Sequence, residues 1–260
     1  MPYPNSEIRF ARPEDAQNVR ELWDMAFGED KDFNDWFFEN IFNIDDVLLY
    51  TIDNKIAAMT QMPAYEIKGL GTLTYIYGAA THPDMRKQGI MTQLLEKSFD
   101  IDRQNGRVGS MLIPANKGLF DFYTRFGYEK AFYISKKTYK ASEFEIKKAE
   151  FSDIPLLNNI YENTPVPHPT RTADYWQKQI SMFNDLGGGV YLTENAYAFA
   201  WEDEIQELMG GGKDKLASAL AHKAKLPAIE ASTVGTDIPL GVVKLYNGQF
   251  DKMYFNLMFN

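Results

Sequence analysis

The stretch HPDMRKQGIMTQLLEKSF, His82–Phe99, decides how the rest of the chain is read. Ile90, Met91, Leu94, Leu95 and Phe99 recur at helical spacing, so an amphipathic helix starts close to Gly89. The residues before it, Leu73–Thr81, read as an apolar strand. Between strand and helix stand an arginine, two polar residues and a glycine. A glycine at a helix start permits close approach of another group, and the first helical N–H groups have no intrahelical acceptor. The helix dipole favours an anion at the same place. Arg86 adds a permanent charge with several donors. On residue type alone the stretch is either a phosphate seat or a strand-to-helix turn with a solvated charge.

The chain has 260 residues, 45% of them hydrophobic and 24% charged, enough for one large domain or two ordinary ones. It has no cysteine, which excludes disulfides, thiol nucleophiles and thiolate metal ligands. Its three histidines, His82, His168 and His222, lack partners at metal-ligand spacing, so no metal is expected. A net charge of −9 argues against a nucleic-acid partner and favours a cationic acceptor over a polyanion. The opening MPYPNSEIRF has no apolar run, and no stretch reaches the length of a membrane span. The expectation is a cytoplasmic protein with no membrane partner.

Outward from the opening stretch, the chain alternates between strand and helix patterns. A strand at Ile8–Phe10 precedes a helix carrying Val19, Leu22, Trp23, Ala26 and Phe27 on one face. Phe33, Trp36, Phe37 and Ile41 mark a second helix, and strands follow at Val47–Tyr50, Ile56–Ile67 and Leu73–Thr81. After the central helix come a strand at Val108–Ile113, a short helix in ANKGLFDFYTRFGYEKAF and a strand towards Tyr139. This order gives a mixed α/β sheet with one helical crossover between two long strands.

The opening pattern then returns. Ile8, Ala11, Asp15, Ala16, Val19, Leu22 and Trp23 have counterparts 138 residues later in Ile146, Ala149, Asp153, Ile154, Leu157, Ile160 and Tyr161. A register kept through strand, turn and helix points to a duplicated domain. The expected division is 1–140 and 141–260. Strands are expected within GVYLTENAYAFAWEDEIQELMG, AIEAST and DKMYFNLMF, with a helix in KDKLASALAHKAK.

GAATHPDMRKQGIM followed by PANKGLFDFYTRFGYE resembles the GNAT superfamily of acyl-CoA-dependent N-acetyltransferases. Arg86, Lys87, Gln88, Gly89 and Ile90 match its acyl-CoA motif, and Met91 fills a position that the family usually keeps small. Phe122, Tyr123, Phe126, Gly127 and Tyr128 match its second motif. The duplication makes the chain look most like tandem GNAT proteins of the enhanced-intracellular-survival type, with an active first domain and a degenerate second one.

The resemblance implies acetyl-CoA as acyl donor and an amine of a small molecule or peptide as acceptor. It implies that Arg86–Met91 hold the pyrophosphate, that the edge at Ala79, Ala80 and Thr81 pairs with the pantetheine amides, and that Tyr123 is the general acid. By spacing alone Tyr123 reads as a helix aromatic packed on the sheet, like Phe120 and Phe126, and Asn116 either bonds pantetheine or caps its helix. Trp23, Phe27, Glu29, Asp30 and Trp36 are candidates for acceptor recognition, and the terminal carboxylate of Asn260 is a candidate base. MGGGKDK, before the helix of the second half, has neither the arginine nor a P-loop's Gly-Lys-Ser/Thr. Matching Gly248 to Gly127 sets Lys244 against Tyr123, so the second half also lacks the acid. A non-catalytic acyl-CoA-binding module is the alternative reading.

Overall fold

The structure, a computed structural model, describes residues 3–28 and 30–256. Strand pairing divides the chain differently from its repeat. One compact unit comprises Met1–Glu129 with Val242–Gln249, and the other Lys130–Gly241 with Phe250–Asn260. The expected boundary after residue 140 moves because strand β8, Glu129–Lys140, pairs antiparallel with β13, Ala228–Val234, inside the second unit. Conversely, the end of β14, Ile238–Leu245, pairs with β7, Gly109–Leu112, inside the first.

In the first unit, β1 (Ser6–Phe10), β2 (Val47–Ile52), β3 (Lys55–Gln61) and β6 (Tyr77–Thr81) form an antiparallel sheet in the order β1-β2-β3-β6. Two strands expected to be continuous are each broken. Ile56–Ile67 becomes β3 and β4 (Ala64–Ile67), interrupted at Met62–Pro63, where proline offers no N–H to a ladder. Leu73–Thr81 becomes β5 (Gly71–Tyr75) and β6, which change partners around Ile76. Helices α1 (Ala16–Phe27) and α2 (Lys31–Asn40) bury their apolar faces with β2, β3 and β6 around Trp23, Phe37 and Met59. Gly78 is the point of closest approach. Its φ is +59°, and a Cβ there would lie 2.3 Å from the Trp23 ring.

The second unit repeats the first by the same bonds. Before α1, the Arg12 N–H donates to Asp15 Oδ2 at 2.8 Å, and before α5 (Ile154–Glu162) the Glu150 N–H donates to Asp153 Oδ2 at 2.9 Å. Arg9 pairs with Asp15 as Lys147 pairs with Asp153. Strands β9 (Lys147–Lys148), β10 (Gly189–Leu192), β11 (Ala196–Ala200) and β12 (Glu204–Gly210) follow, with α6 (Ala173–Asp185) and α7 (Lys213–Lys223). Its core holds a buried ion pair: Arg171 donates to both Glu207 oxygens at 2.6 and 2.9 Å, and Tyr197 and Tyr254 also donate to Glu207. The expected strand in DKMYFNLMF reduces to a bridge between Met253 and Phe132 among the described residues.

Asp15 ties β1 to α1. Its carboxylate takes two bonds from Arg9, at 2.6 and 3.0 Å, besides the one from Arg12. The Arg9 hydrogen bond holds the Asp15 carboxyl below its ordinary range. A depressed carboxyl contributes stability that is complete above its unfolded value, about 3.9, and is lost as pH falls through the folded one. Asp15→Asn is expected to lower unfolding stability by about 1.5–3 kcal/mol at pH 7 in urea titrations. The difference from the unmutated protein should shrink below pH ~4.

Candidate active site

The site begins where two parallel strands part. Leu73, Thr74 and Tyr75 of β5 pair in parallel with Gly109, Ser110 and Met111 of β7, and the Ile76 N–H donates to Met111 O at 2.9 Å. Beyond Ile76 the chain leaves β7 and joins β3, making β6 the edge strand of its own sheet. The phase of that ladder is set by His82 N–H, which donates to Ala57 O at 2.9 Å. In an antiparallel pair such bonding residues alternate, so Ala80 also turns its N–H and C=O towards β3. Ala79 and Thr81 therefore turn theirs to the open edge.

The segment Pro83–Gly89 follows the end of this edge. A 3-10 turn, Pro83–Met85, follows His82, whose Nδ1 accepts from the Asp84 N–H at 3.4 Å. Arg86 Nε donates to Thr81 O at 3.2 Å and Gln88 Nε2 to Asp84 O at 3.1 Å. Lys87 (φ +62°) and Gly89 (φ +75°) are both left-handed, a conformation costly for all but glycine. Helix α3, Ile90–Gln104, starts immediately after, with Ile90 buried and Met91 half-buried. The N–H groups of Ile90, Met91 and Thr92 begin the helix and have no intrahelical acceptor. No protein atom lies within 4 Å of where a Gly89 Cβ would stand, so this corner is open. The structure thus gathers Ala79, Ala80, Thr81 and Arg86–Met91 at one strand end.

The other parallel strand leads to the second motif. Helix α4, Lys117–Thr124, follows β7, as α3 follows β6, so both leave from the carboxyl ends of strands running the same way. In open α/β sheets a ligand crevice forms at such a divergence. Tyr123 is 7% exposed, with its ring edge-on to Phe122 at 5.1 Å and Tyr128 at 5.7 Å. Its hydroxyl has no hydrogen-bond partner among the described residues, and burial pushes its pKa up to about 12. Tyr128 is fixed in turn by a bond between its hydroxyl and Ser110. Asn116 caps α4, its Oδ1 accepting from the Leu119 N–H at 3.2 Å.

Several expected contributors lie elsewhere. Trp23 and Trp36 are core residues, 3% and 8% exposed; Trp23 stacks on Phe37 and donates to Asn34 Oδ1. Phe27 packs on Trp23, and Asp30 caps α2 by accepting from the Phe33 N–H. Glu29 and Asn260 lie outside the described residues. Among the described residues no cluster of three His, Asp or Glu is arranged to hold a metal ion, and no helix is long and apolar enough to cross a membrane.

The second unit keeps the backbone of the corner without its charges. Gly212 caps α7 at φ +73° and ψ 11°, close to the +75° and 8° of Gly89. Lys213, the next residue, turns to Thr233 Oγ1 at 3.1 Å, and burial lowers its pKa. Lys244 is not the helical counterpart of Tyr123. It sits on β14, opposite Ser110 of the first unit, and its Nζ donates to Phe126 O at 2.5 Å. Sequence reasoning missed this contact, as it missed Ser110; the two partners are 118 residues apart and no local pattern joins them.

Residues 7–131 match the family model described as Acetyltransferase (GNAT) domain. A conserved protein of unknown function from Enterococcus faecalis V583 superposes with a TM-score of 0.72 at 13% identity, covering 92% of this chain and 72% of its own. A GCN5-related N-acetyltransferase from Anabaena variabilis gives a TM-score of 0.70 at 13% identity, covering 93% and 73%. Eis1 from Mycobacterium abscessus gives 0.64 at 12% identity, covering 92% and 73%. At these identities the likeness is one of fold, and it spans both units. No curated protein matches the sequence.

Because nothing crowds Gly89, its left-handed φ alone sets the cost of a side chain there. Gly89→Ala is expected to fold with a loss of about 1–2 kcal/mol in chemical denaturation. A loss several times larger would mean that the corner is packed rather than open.

Proposed function

Residues 7–131 form a GNAT acetyltransferase domain, and from that premise we propose that the protein transfers an acetyl group from acetyl-CoA to a primary amine of a small molecule or peptide. The observation that carries this reading is the open edge of β6 beside the unobstructed start of α3. An extended ligand with amides can add to a strand edge as a further strand does, and a pyrophosphate suits a helix start. The edge-facing N–H and C=O of Ala79 and the N–H of Thr81 would take the pantetheine amides, while Thr81 O holds Arg86 in place. The first N–H groups of α3 and the remaining donors of Arg86 would take the pyrophosphate.

In the reaction, the amine nitrogen attacks the thioester carbon, the C–S bond breaks, and its electron pair goes to sulfur. Nitrogen loses one proton and sulfur gains one. Tyr123, its hydroxyl protonated at neutral pH, supplies a donor for the departing thiolate. Thiols ionise near 8.5, so full proton transfer from a hydroxyl near 12 is uphill. Tyr123 acts chiefly by hydrogen bonding to sulfur while the proton released from nitrogen becomes available.

The second unit supports the fold without offering a second cofactor site. Its parallel pair, β12 with β13, parts after Ile205 and Ala231. The next carbonyl, Gln206 O, already accepts from Asn256 Nδ2 at 2.8 Å. It also has no arginine three residues before Gly212, the place that Arg86 holds before Gly89.

Two measurements test the proposal. Calorimetry of the intact chain should give one acetyl-CoA per protein, with affinity falling at least about tenfold in Arg86→Glu. Two sites, or unchanged affinity in a folded variant, would overturn the assignment. In a thiol-release assay against a panel of amines, Tyr123→Phe should keep cofactor affinity and lose roughly 10²-fold in turnover. Binding without thiol release from any amine would favour the non-catalytic acyl-CoA-binding module instead.

A further inference from the structure

The short helix that carries Tyr123 ends in a turn whose bonds lead to one residue far along the chain. After α4, the Phe126 N–H and the Tyr128 N–H both donate to Tyr123 O, at 2.9 and 3.4 Å, and the Gly127 N–H donates to Thr124 O at 2.9 Å. Gly127 is left-handed at φ +81°, which turns the chain out of the helix. A further carbonyl of this turn, Phe126 O, receives Lys244 Nζ at 2.5 Å. The ammonium occupies the space beside Gly127, where a Cβ would lie 2.9 Å from it, and stands 5.1 Å over the Phe99 ring. Burial lowers the Lys244 pKa, in keeping with a cation drawn off the surface to a fixed partner.

Lys244 is held as firmly as it holds. Its backbone pairs with Ser110 in the β14–β7 ladder, and the Ser110 hydroxyl bonds the Tyr128 hydroxyl. Tyr128 in turn sets its ring edge-on against Tyr123 at 5.7 Å. Tyr123 is therefore fixed twice from one point in the sheet. One path runs through its own peptide, from Lys244 to Phe126 O and from Phe126 N–H to Tyr123 O. The other runs through its ring, from Ser110 to Tyr128.

We infer that Lys244 is a positioning residue for Tyr123: by clamping the last turn of α4 it fixes where the Tyr123 hydroxyl points. A helix of two turns cannot hold a side chain's direction by its own hydrogen bonds. An unclamped last turn would let the hydroxyl sample several positions, and a donor misplaced by about 1 Å loses most of its effect on a reacting atom. The inference rests on the acyl-transfer reading for its functional meaning, but its geometry can be measured without turnover.

The test places 3-fluorotyrosine at position 123 and reads its fluorine resonance in the full-length protein, together with amide hydrogen exchange across residues 117–128. Lys244→Met, which keeps length and removes the donor, should shift or broaden the resonance and speed exchange in that segment by about tenfold. Lys244→Arg, which keeps a cationic donor, should restore both. In the unlabelled protein, Lys244→Met should lower kcat for the amine found in the thiol-release assay and leave KM for acetyl-CoA unchanged. If Lys244→Met does not fold, Lys244→Gln, a shorter neutral donor, takes its place and should show the same shift in part. An unmoved resonance with unchanged exchange would overturn the clamp, whether or not the protein transfers acetyl groups. A moved resonance in a protein that binds no acetyl-CoA would leave the clamp standing and remove the acyl-transfer reading.

Discussion

The first unit is organised around one change of partner, that of the strand running from β5 into β6 at Ile76. Parting two hydrogen-bonded strands leaves backbone groups without partners, so a divergence persists only where its surroundings fix it. Here it is pinned from several sides. Pro63 breaks the neighbouring strand at the same level, and its carbonyl accepts from the Tyr75 N–H at 2.8 Å, beside the parting. The adjacent Met62 donates its N–H to Asp46 O and receives Arg107 on its own carbonyl. On the other side Trp23 of α1 lies against Gly78, and only a residue without a side chain lets β6 come so close to the helix. The open edge is thus a consequence of packing on both flanks, present before any ligand arrives.

A cradle at a helix start also requires that the helix itself not move. α3 is anchored at its far end by Asp102, which is fully buried. Its carboxyl accepts from Thr74 of β5 and from the Tyr246 hydroxyl at 2.5 Å, with Arg107 at 3.4 Å. Burial raises the Asp102 carboxyl, and the donors around it oppose that rise. Thr74 lies on the segment paired with β7, just before the parting, so the strand that diverges and the helix that follows it share one polar anchor. Tyr246 comes from the segment Val242–Gln249, which returns to the first unit after Lys130–Gly241. The same return that supplies Lys244 to α4 supplies Tyr246 to α3.

How much of this was legible in the sequence follows from the distance over which each feature is determined. The helices were readable because Val19, Leu22 and Trp23, or Ile90, Leu94 and Leu95, state their buried faces within a few residues. The turn into α3 was readable because Arg86 to Met91 are contiguous, and the structure keeps them together at a strand end. Strand continuity was misread at Ile76, since an apolar run looks the same whether it keeps one partner or exchanges it. The acceptor reading of Trp23 and Trp36 failed for a related reason. An aromatic on an amphipathic face is recognisable, but whether the face meets solvent or another helix depends on where α2 folds back. The β14 return was invisible, because Lys244 and Phe126 are neighbours only in the folded sheet.

The duplication separates what the fold requires from what chemistry requires. Both units open with a carboxylate that accepts the N–H three residues before it and pairs with a basic residue on the first strand. Both begin their crossover helix after a left-handed glycine of nearly the same φ and ψ. These shared features are local solutions to ending a strand and starting a helix, and either unit would need them in order to fold. What differs is the arginine before the glycine and the polar core. The second unit spends its buried charge on Arg171 and Glu207, which satisfy each other and two tyrosines inside the unit. The first unit instead leaves Arg86 exposed beside the start of its crossover helix, its Nε donating to Thr81 O. The arginine beside the left-handed glycine is not part of the shared frame, since the second unit starts its own crossover helix after Gly212 without one.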